Sequence, residues 1–329
     1  MFRWGVLSTA KIGWEHVIPA ILAADNGILA GLASRDMAKA EAMAKKFGAL
    51  KAYGSYEALL ADKEIDGVYI PLPTSQHIEW TLKAIAAGKH VLVEKPMALK
   101  ASEIDDVIAA QKGTNLLVSE AFMVTYHPQW IKVRDLLAEG AIGTLKHVQG
   151  AFTYFLKDPN NMRNILELGG GALPDIGVYP TVSTRFVTGK EPQRVQAHVE
   201  FDPVFKTDIF STIRADFGDF ELSFYLSTQM ANRQTMAFHG DKGFIEVAAP
   251  FNSQLYAHDT VTLHNQKHDG AQIFRFPGVN QYKLEVEAFA RVAGGSKEHY
   301  FTLESSRKNQ NLIDACFASG KSGKWEKVG

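Results

Sequence analysis

Short apolar runs alternate with amphipathic helical patterns over the first 122 residues of the chain. The runs are typical of buried parallel strands, whereas the segments between them repeat apolar residues at helical spacing. The predicted strands are Arg3–Leu7, Ile28–Ser34, Gly67–Leu72, His90–Glu94 and Leu116–Ala121. The predicted helices are Ile18–Ala24, Met37–Phe47, Tyr56–Ala61, His77–Ala87 and Glu103–Ala110. This alternation predicts βαβ units and a Rossmann-type parallel sheet covered on both faces.

After a predicted helix at Gln129–Glu139 the hydrophobic pattern changes to a period of two. Apolar residues alternate with polar ones at Val195, Ala197, Val199, Phe201, Phe220, Leu222, Phe224 and Leu226. Further strands are predicted at Asp208–Phe217, Thr235–Phe238, Phe244–Val247, Val261–His264 and Gln272–Phe276. This pattern indicates a mainly antiparallel sheet with one buried face. Its other face carries polar and aromatic groups that can meet solvent or a second subunit: Gln196, His198, Glu200, Glu221, Ser223, Tyr225 and Ser227.

The change of pattern predicts two domains, because 329 residues exceed the size at which one hydrophobic core stops growing. We expect an α/β domain with a Rossmann-type parallel sheet at residues 1–122. We expect an α+β domain with a large, mainly antiparallel open sheet at residues 123–329. The final predicted helices, Leu284–Val292 and Glu304–Ala318, are assigned to the second domain.

The composition excludes several classes of partner. Hydrophobic residues make up 46% of the chain and charged residues 22%, and the formal net charge is -1. We therefore expect neither nucleic acid nor a membrane as partner, but a small molecule. The single cysteine, Cys316, and histidines without metal-binding spacing predict neither disulfides nor a metal site. The first residues enter a strand-like run without a charged and apolar leader, which predicts a cytoplasmic protein.

The turn after the first predicted strand has features of a phosphate-binding loop. The first N–H groups of a helix and its dipole both favour an anion. The turn consists of Ser8, Thr9, Ala10, Lys11, Ile12 and Gly13. Only Gly13 keeps a glycine of the Gly-x-Gly-x-x-Gly fingerprint, with Ser8 and Ala10 in the other two places. Two hydroxyls beside Lys11 favour phosphate contact, and a turn without a ligand is the alternative.

The end of the second strand indicates which dinucleotide is bound. An NAD site places a carboxylate there for the ribose hydroxyls, whereas a 2′-phosphate prefers an arginine and hydroxyls. Ser34 and Arg35 occupy the position, and Asp36 follows. NADP is the predicted cofactor, and NAD stays possible through Asp36 if the register shifts by one or two residues.

Three further motifs carry polar groups and glycines. Pro71, Leu72 and Thr74 end the third strand, and His77 opens the next helix. Glu94, Lys95 and Pro96 stand at the end of the fourth predicted strand, at the sheet edge where ligands bind. In the second half, the segment 169–179 reads Gly-Gly-Gly-Ala-Leu-Pro-Asp-Ile-Gly-Val-Tyr and places Asp175 and Tyr179 on one helix.

Together these motifs resemble the Gfo/Idh/MocA oxidoreductases over essentially the whole chain. Tyrosine at position 179 and the run Glu120–Met123 followed by His127 make the chain most similar to one branch. That branch contains dimeric dihydrodiol dehydrogenase, NADP-dependent xylose dehydrogenase and glucose-fructose oxidoreductase. The resemblance implies a nicotinamide cofactor and a homodimer formed through the C-terminal sheet. It also implies cofactor contacts from Pro71, Leu72, Thr74, His77, Glu94, Lys95 and Arg163.

Lys95, Asp175 and Tyr179 form the predicted catalytic set. Hydride transfer from a carbinol carbon leaves a proton on the oxygen, so the enzyme needs a base there and a positive charge near the developing alkoxide. Tyrosine, with a reference pKa of about 10, needs a nearby cation to act at neutral pH, and Lys95 supplies it. Asp175 lies one helical turn before Tyr179 and orients the site. Pro180 predicts a helix kink at Tyr179.

The predicted substrate is a sugar, a sugar-derived carbonyl or a cyclic diol. The groups predicted to bind it are Tyr126, Tyr154, Arg163, Asp175 and Tyr179. His127, which precedes a proline, is interpreted as structural. The alternative function is a non-catalytic, nicotinamide-binding sensor or regulator of the same fold, which would need none of the three predicted catalytic residues.

Overall fold

The computed structural model describes residues 1–253 and 259–329. Over those residues the chain divides into two compact units. The first comprises Met1–Met123 and Asn280–Arg307, and the second comprises Val124–Val279 and Lys308–Gly329. No helix within the described ranges combines the length and the apolar character required to cross a bilayer.

The first unit is built on a parallel sheet. Its strands are β1 Phe2–Leu7, β2 Gly27–Ala33, β3 Lys51–Tyr53, β4 Gly67–Ile70, β5 His90–Val93 and β6 Val118–Glu120. The helices between them are α1 Ile18–Ala23, α2 Met37–Phe47, α3 Tyr56–Ala61, α4 His77–Ala86 and α5 Ala101–Gln111. The described strands pair in parallel in the order β3-β2-β1-β4-β5-β6. The order reverses between β1 and β4, which is the point where open α/β sheets bind ligands.

The second unit contains a larger sheet. Its strands are β7 Leu145–Phe155, β8 Arg194–Phe201, β9 Asp208–Asp216, β10 Glu221–Ser227, β11 Gln229–Gly240, β12 Gly243–Val247, β13 Thr260–Asn265 and β14 Ala271–Arg275. Its helices are α6 Pro128–Ala138 and α7 Val178–Thr188. The chain then forms α8 Gln281–Ala293, α9 Leu303–Ser322 and the short strand β15 Glu326–Lys327. The described order is β14-β13-β12-β11-β7-β10-β9-β8-β15, antiparallel except for the β7–β10 pair.

The predicted fold class is therefore confirmed, a Rossmann-type sheet followed by a large and mainly antiparallel one. Strands β3, β7 and β15 were not predicted. Strand β7 holds a central place in the second sheet, and Lys146, Gln149 and Gly150 interrupt its apolar pattern. Gly150 leaves room for Met236 on β11, whose sulfur would lie 2.6 Å from an added Cβ.

Three details of the prediction are corrected. Phe201 ends the predicted apolar face of β8 but is 54% exposed, while Ser227 of the predicted polar face is buried. Helix α8 was assigned to the second domain and belongs to the first unit. The physical reason is aromatic packing, since the Phe289 ring lies 5.1 Å from that of Trp4 on β1.

Candidate active site

The turn after β1 keeps the backbone conformation of a dinucleotide loop without its glycines. Ser8 has φ +127°, a region that favours glycine. Its hydroxyl accepts a hydrogen bond from the Ala10 N–H (3.2 Å) and donates one to the Pro71 carbonyl (3.4 Å). The strained position of the turn is thus Ser8. Strain of this kind, held by surrounding bonds, is typical of functional sites.

The helix that follows this turn leaves its first N–H groups available to an anion. The Trp14 N–H donates to the Ala10 carbonyl (3.3 Å), and a π-helical segment, Gly13–Val17, leads into α1. Because the first N–H groups of a helix have no partner within it, the turn fits a dinucleotide phosphate. Lys11 is exposed, and its ammonium lies 3.5 Å from the Glu15 carboxylate.

The end of β2 carries both groups predicted to contact the ribose. The Asp36 carboxylate accepts a hydrogen bond from the Lys39 N–H (3.3 Å) and caps α2. The Ser34 hydroxyl accepts one from the Asp36 N–H (3.2 Å). Arg35 is exposed, and its guanidinium forms a hydrogen bond with the Tyr56 hydroxyl. Burial raises the pKa of Tyr56, and the charge of Arg35 opposes part of that rise. Both side chains are exposed, but one Asp36 oxygen caps α2 whereas Arg35 bonds Tyr56.

His77 connects the loop after β4 with the loop after β5. Its Nε2 lies 2.7 Å from the Leu72 carbonyl and its Nδ1 lies 2.8 Å from the Pro96 carbonyl. The ring is 1% exposed, and burial lowers its pKa to about 4. Both nitrogens face carbonyl oxygens, which leaves neither for a cofactor atom, and so His77 positions the two loops. Thr74 is also buried.

Lys95 is half-buried at the carboxyl end of β5, beside two acidic residues. The Glu94 carboxylate accepts hydrogen bonds from the Tyr69 hydroxyl (2.6 Å) and from the Lys95 N–H (3.2 Å). The Glu120 carboxyl accepts one from the Met97 N–H (2.8 Å), and burial raises its pKa to about 7. Glu120 was not among the predicted site residues, although its place at the end of β6 was a usable signal.

In the second unit, Asp175 is held by the two predicted substrate groups. The Tyr154 hydroxyl donates a hydrogen bond to Asp175 Oδ2 (2.6 Å), and Arg163 Nε donates another to the same oxygen (2.8 Å). Burial and the Asp175 carboxylate raise the pKa of Tyr154, and the same carboxylate raises that of Arg163. Arg163 was predicted to contact both cofactor and substrate. The structure places it on Asp175.

Tyr179 lies in the first turn of α7 and is 5% exposed. Its ring packs against Phe152 and Phe251, with centroids 5.6 and 5.5 Å away. The predicted irregularity of this helix is present, but it lies before the proline, in the π-helical segment Leu173–Gly177. Pro180 follows this segment in the first turn of α7 and has no N–H to donate to the preceding helical turn.

A buried acid that sequence reasoning missed fixes the start of this helix. Asp208 is 2% exposed and accepts hydrogen bonds from the Leu173 N–H (2.6 Å) and the Ala172 N–H. Burial raises the pKa of Asp208 to about 7. Gly171 has φ +139°, and a Cβ there would lie 2.0 Å from an Asp208 oxygen. The triple glycine therefore lets the acid approach the helix.

The other aromatic candidates line the start of α6. Tyr126 is 8% exposed in the 3-10 turn Met123–Tyr126. His127 caps α6 through its Nδ1, which accepts from the Gln129 N–H (3.1 Å), and its Nε2 lies 3.6 Å from Asp259. This agrees with the structural interpretation of His127.

These two units define a class of protein, the nicotinamide-dependent oxidoreductases. The first carries a Rossmann sheet with a phosphate-type turn and a lysine at its carboxyl edge. The second carries an ordered acid and a tyrosine on one helix. Residues 2–122 match the profile of the "Oxidoreductase family, NAD-binding Rossmann fold", and residues 130–246 match the "GFO/IDH/MocA C-terminal domain".

The chain belongs to the Gfo/Idh/MocA oxidoreductase family. It is 33% identical to D-xylose 1-dehydrogenase (NADP⁺) 2 of Haloferax volcanii, covering 97% of this chain and 98% of that one. It is 31% identical to dTDP-3,4-didehydro-2,6-dideoxy-α-D-glucose 3-reductase of Actinomadura kijaniata, covering 95% and 94%. A crystal structure of a 3-ketoreductase from that organism with NADP and TDP-benzene superposes with a TM-score of 0.89, at 29% identity and 97% coverage of both chains. The chain is thus an NAD(P)-binding oxidoreductase.

Proposed function

We propose that this enzyme prefers NADP and transfers a hydride between nicotinamide and a sugar, a sugar-derived carbonyl or a cyclic diol. In this proposal Tyr179 relays the proton, Lys95 stabilises charge on the reacting oxygen, and Asp175 orients the site. The observation that carries it is the fixed position of Asp175. Two donors hold its carboxylate one helical turn before Tyr179.

Each proposed role follows from the group's chemistry. Bound nicotinamide supplies the hydride acceptor or donor. The Tyr179 hydroxyl gives a proton to the substrate oxygen in reduction and takes it in oxidation. The Lys95 ammonium favours negative charge on that same oxygen in both directions. Arg163 neutralises Asp175, so this acid can accept substrate hydroxyls without repelling a developing alkoxide.

The assignment is tested by nicotinamide absorbance with NADP⁺ or NAD⁺ and a panel of aldoses, polyols and trans-diols. Reverse assays use sugar-derived ketones. We expect turnover that falls by about 10²-fold or more in Tyr179→Phe, the usual size of a lost proton transfer. Tyr300→Phe removes the hydroxyl of a partly buried tyrosine of the first unit and serves as the control. Near-normal turnover of Tyr179→Phe would refute the relay. Tight cofactor binding without turnover on any member of the panel would favour the sensor.

The preference for NADP is supported by the different uses of Asp36 and Arg35. One Asp36 oxygen caps α2 and the other lies 3.9 Å from the Lys39 ammonium, so fewer of its acceptor sites are left for ribose hydroxyls. An exposed guanidinium suits a 2′-phosphate. We expect Arg35→Ala to weaken NADPH binding about tenfold and to leave NADH binding unchanged, because a charge-assisted contact contributes about 1.5–3 kcal/mol. Lys39→Ala removes a nearby exposed cation as the control. Unchanged NADPH affinity in Arg35→Ala would overturn the preference.

We also propose a homodimer formed through the outward face of the second sheet. This face has a shallow cavity of about 520 Å³, bordered by Gln196, His198, Arg214 and Tyr225 among others. Mixed polar and aromatic groups of this kind suit a protein interface. Sedimentation velocity tests the proposal, and a strict monomer at micromolar concentration would contradict it.

A cytoplasmic location is proposed on the state of the only cysteine. Cys316 is a buried free thiol, which fits a reducing compartment. Fractionation of the host cell with an antibody to the chain tests the location, and recovery outside the cytoplasm would contradict it.

A further inference from the structure

Glu285 is a buried acid without a hydrogen-bond partner. It lies on α8 of the first unit and is 1% exposed. Among the described residues, nothing hydrogen-bonds either of its carboxyl oxygens. The same face of α8 buries apolar residues, among them Val286 and Phe289. An ionised carboxylate in such a place is costly, so the group is neutral unless a positive charge arrives.

The nearest acidic groups make ionisation of Glu285 harder still. Burial and the Glu94 carboxyl raise the pKa of Glu285 well above its ordinary value. Tyr69 and Tyr282 also lie within electrostatic reach of Glu285, and burial raises the pKa of both phenols. Glu94 accepts two hydrogen bonds that stabilise its anion, from Tyr69 and from the Lys95 N–H. The proton of this cluster therefore resides on Glu285.

The elements packed on α8 add few other charges. They are α1, β1, β2 and the π-helical segment Gly13–Val17. The one charged residue of β1 is Arg3, which pairs with Glu64 and Asp66. The sequences of α1 and β2 contain no titratable side chain. The π-helical segment carries Glu15, which pairs with Lys11 at the surface, and His16. The His16 ring stacks on Tyr282 (4.9 Å), and burial lowers its pKa.

This cluster lies beneath the turn that fits the dinucleotide. A Cβ on Gly13 would lie 3.6 Å from Pro71 and 3.8 Å from the Tyr69 ring, so the helix start rests on the end of β4. Glu94 follows β5 and precedes Lys95. Glu285 is therefore linked through Tyr69 and Glu94 to the carboxyl edge of the sheet, where a bound nicotinamide would carry its charge.

We propose that Glu285 is a proton-exchanging residue that couples cofactor redox state to pH, an inference that rests on the proposed nicotinamide function. Glu285 is protonated beside the neutral, reduced cofactor and loses its proton to solvent when the cationic, oxidised cofactor binds. In the oxidation of an alcohol, the carbinol hydrogen leaves as hydride and the hydroxyl loses a proton. Glu285 then regains one proton from solvent because the positive charge of the ring has disappeared. The overall stoichiometry of the reaction is unchanged.

The test is calorimetric binding of NADP⁺ and NADPH in buffers of different ionisation enthalpy. The 2′-phosphate titrates in both forms, so the difference in proton release between them isolates groups that sense the ring. We expect NADP⁺ to release up to one more proton than NADPH. The affinity for NADP⁺ divided by the affinity for NADPH should rise with pH, by at most tenfold per pH unit. Glu285→Gln should abolish the difference in proton release, weaken the binding of NADP⁺ and leave the binding of NADPH unchanged. Glu287→Gln, on the same helix, should behave as wild type.

Each outcome decides one of the two proposals. Equal proton release by NADP⁺ and NADPH in the wild type would overturn the role of Glu285, whether or not the variant folds. If Glu285→Gln keeps the full difference in proton release between NADP⁺ and NADPH, the role of Glu285 is overturned as well. Binding of neither cofactor would overturn the proposed function and this inference with it. An infrared difference spectrum supplies a second readout, since the protonated carboxyl band should be stronger with NADPH and insensitive to cofactor in Glu285→Gln.

Discussion

In both units a residue with positive φ precedes a π-helical segment that begins a helix. The units differ in what the first N–H groups of that helix bind. In the first unit, β1 leads through Ser8 at positive φ into the π-helical segment Gly13–Val17. In the second, Gly171 at positive φ leads into the π-helical segment Leu173–Gly177. The first N–H groups of the helix after β1 are available to an anion from outside the protein. The second start is closed by the chain's own Asp208 carboxyl.

This difference explains what each turn contributes. A helix start that is free favours phosphate, so the first turn suits a cofactor that arrives with its own charge. A helix start already capped by a buried acid attracts no phosphate, and the second turn instead presents Asp175 and Tyr179. The π-helical geometry alone thus does not identify a binding site, and the partner of the first N–H groups does.

The largest expected effect is that of Gly171→Ala, which would force the second turn apart. The new Cβ would lie 2.0 Å from Asp208 Oδ1, and φ +139° is unfavourable for alanine. We expect a loss of about 3 kcal/mol or more in the free energy of unfolding, measured by urea denaturation. Gly189→Ala is the control, because φ is +64° there and nothing lies within 4 Å of the new Cβ. Its cost should be about 1 kcal/mol, and equal losses in both variants would refute the close approach of Asp208.

A second prediction concerns the pH dependence of the acid that closes the second turn. Burial raises the pKa of Asp208 to about 7, above its unfolded value, so the folded state binds more protons in between. Its contribution to stability is full below about pH 4 and is lost as pH rises through about 7. We expect Asp208→Asn to remove up to about 1.4 kcal/mol per pH unit from the slope of unfolding free energy against pH. Parallel slopes for wild type and variant would show that Asp208 does not titrate there.

Glu120 and Asp259 do not confound this comparison. Burial raises their pKa values to about 7 and about 6. Both therefore make the free energy of unfolding fall as pH rises, as Asp208 does. Both are unchanged in Asp208→Asn. The difference between the two slopes therefore belongs to Asp208.

A smaller effect is expected where the second turn presents its acid. Tyr154→Phe leaves Asp175 Oδ2 with the Arg163 bond but without the 2.6 Å bond to tyrosine. A hydrogen bond to a charged group contributes about 1.5–3 kcal/mol, so kcat should fall by about tenfold or more. Cofactor affinity should not change, and the pH profile of kcat should shift because Asp175 loses a donor. An unchanged profile with a raised KM would make Tyr154 a simple substrate contact.

The sequence predicted the first unit well because its strands are continuous apolar runs with motifs at their carboxyl ends. Lys95, Asp175 and Tyr179 became candidates because of the glycines and prolines beside them, and their catalytic roles are a proposal. Asp208 was not, because it acts on Leu173 across 35 positions of the chain and no local pattern reports that approach. Glu285 reads in sequence as part of a polar helix face, since Lys283 and Glu287 flank it. Only the packing of α8 shows that it is buried.

The smallest expected effect sharpens the comparison at the first turn. Ser8 combines a costly φ of +127° with hydroxyl bonds to Ala10 and Pro71. Ser8→Ala keeps the strain and loses both bonds, whereas Ser8→Gly loses the bonds and relieves the strain. We therefore expect the free energy of unfolding of Ser8→Gly to be about 1 kcal/mol larger than that of Ser8→Ala. If the two variants are equally stable, the first turn is not strained, and it resembles the second only in its π-helical segment.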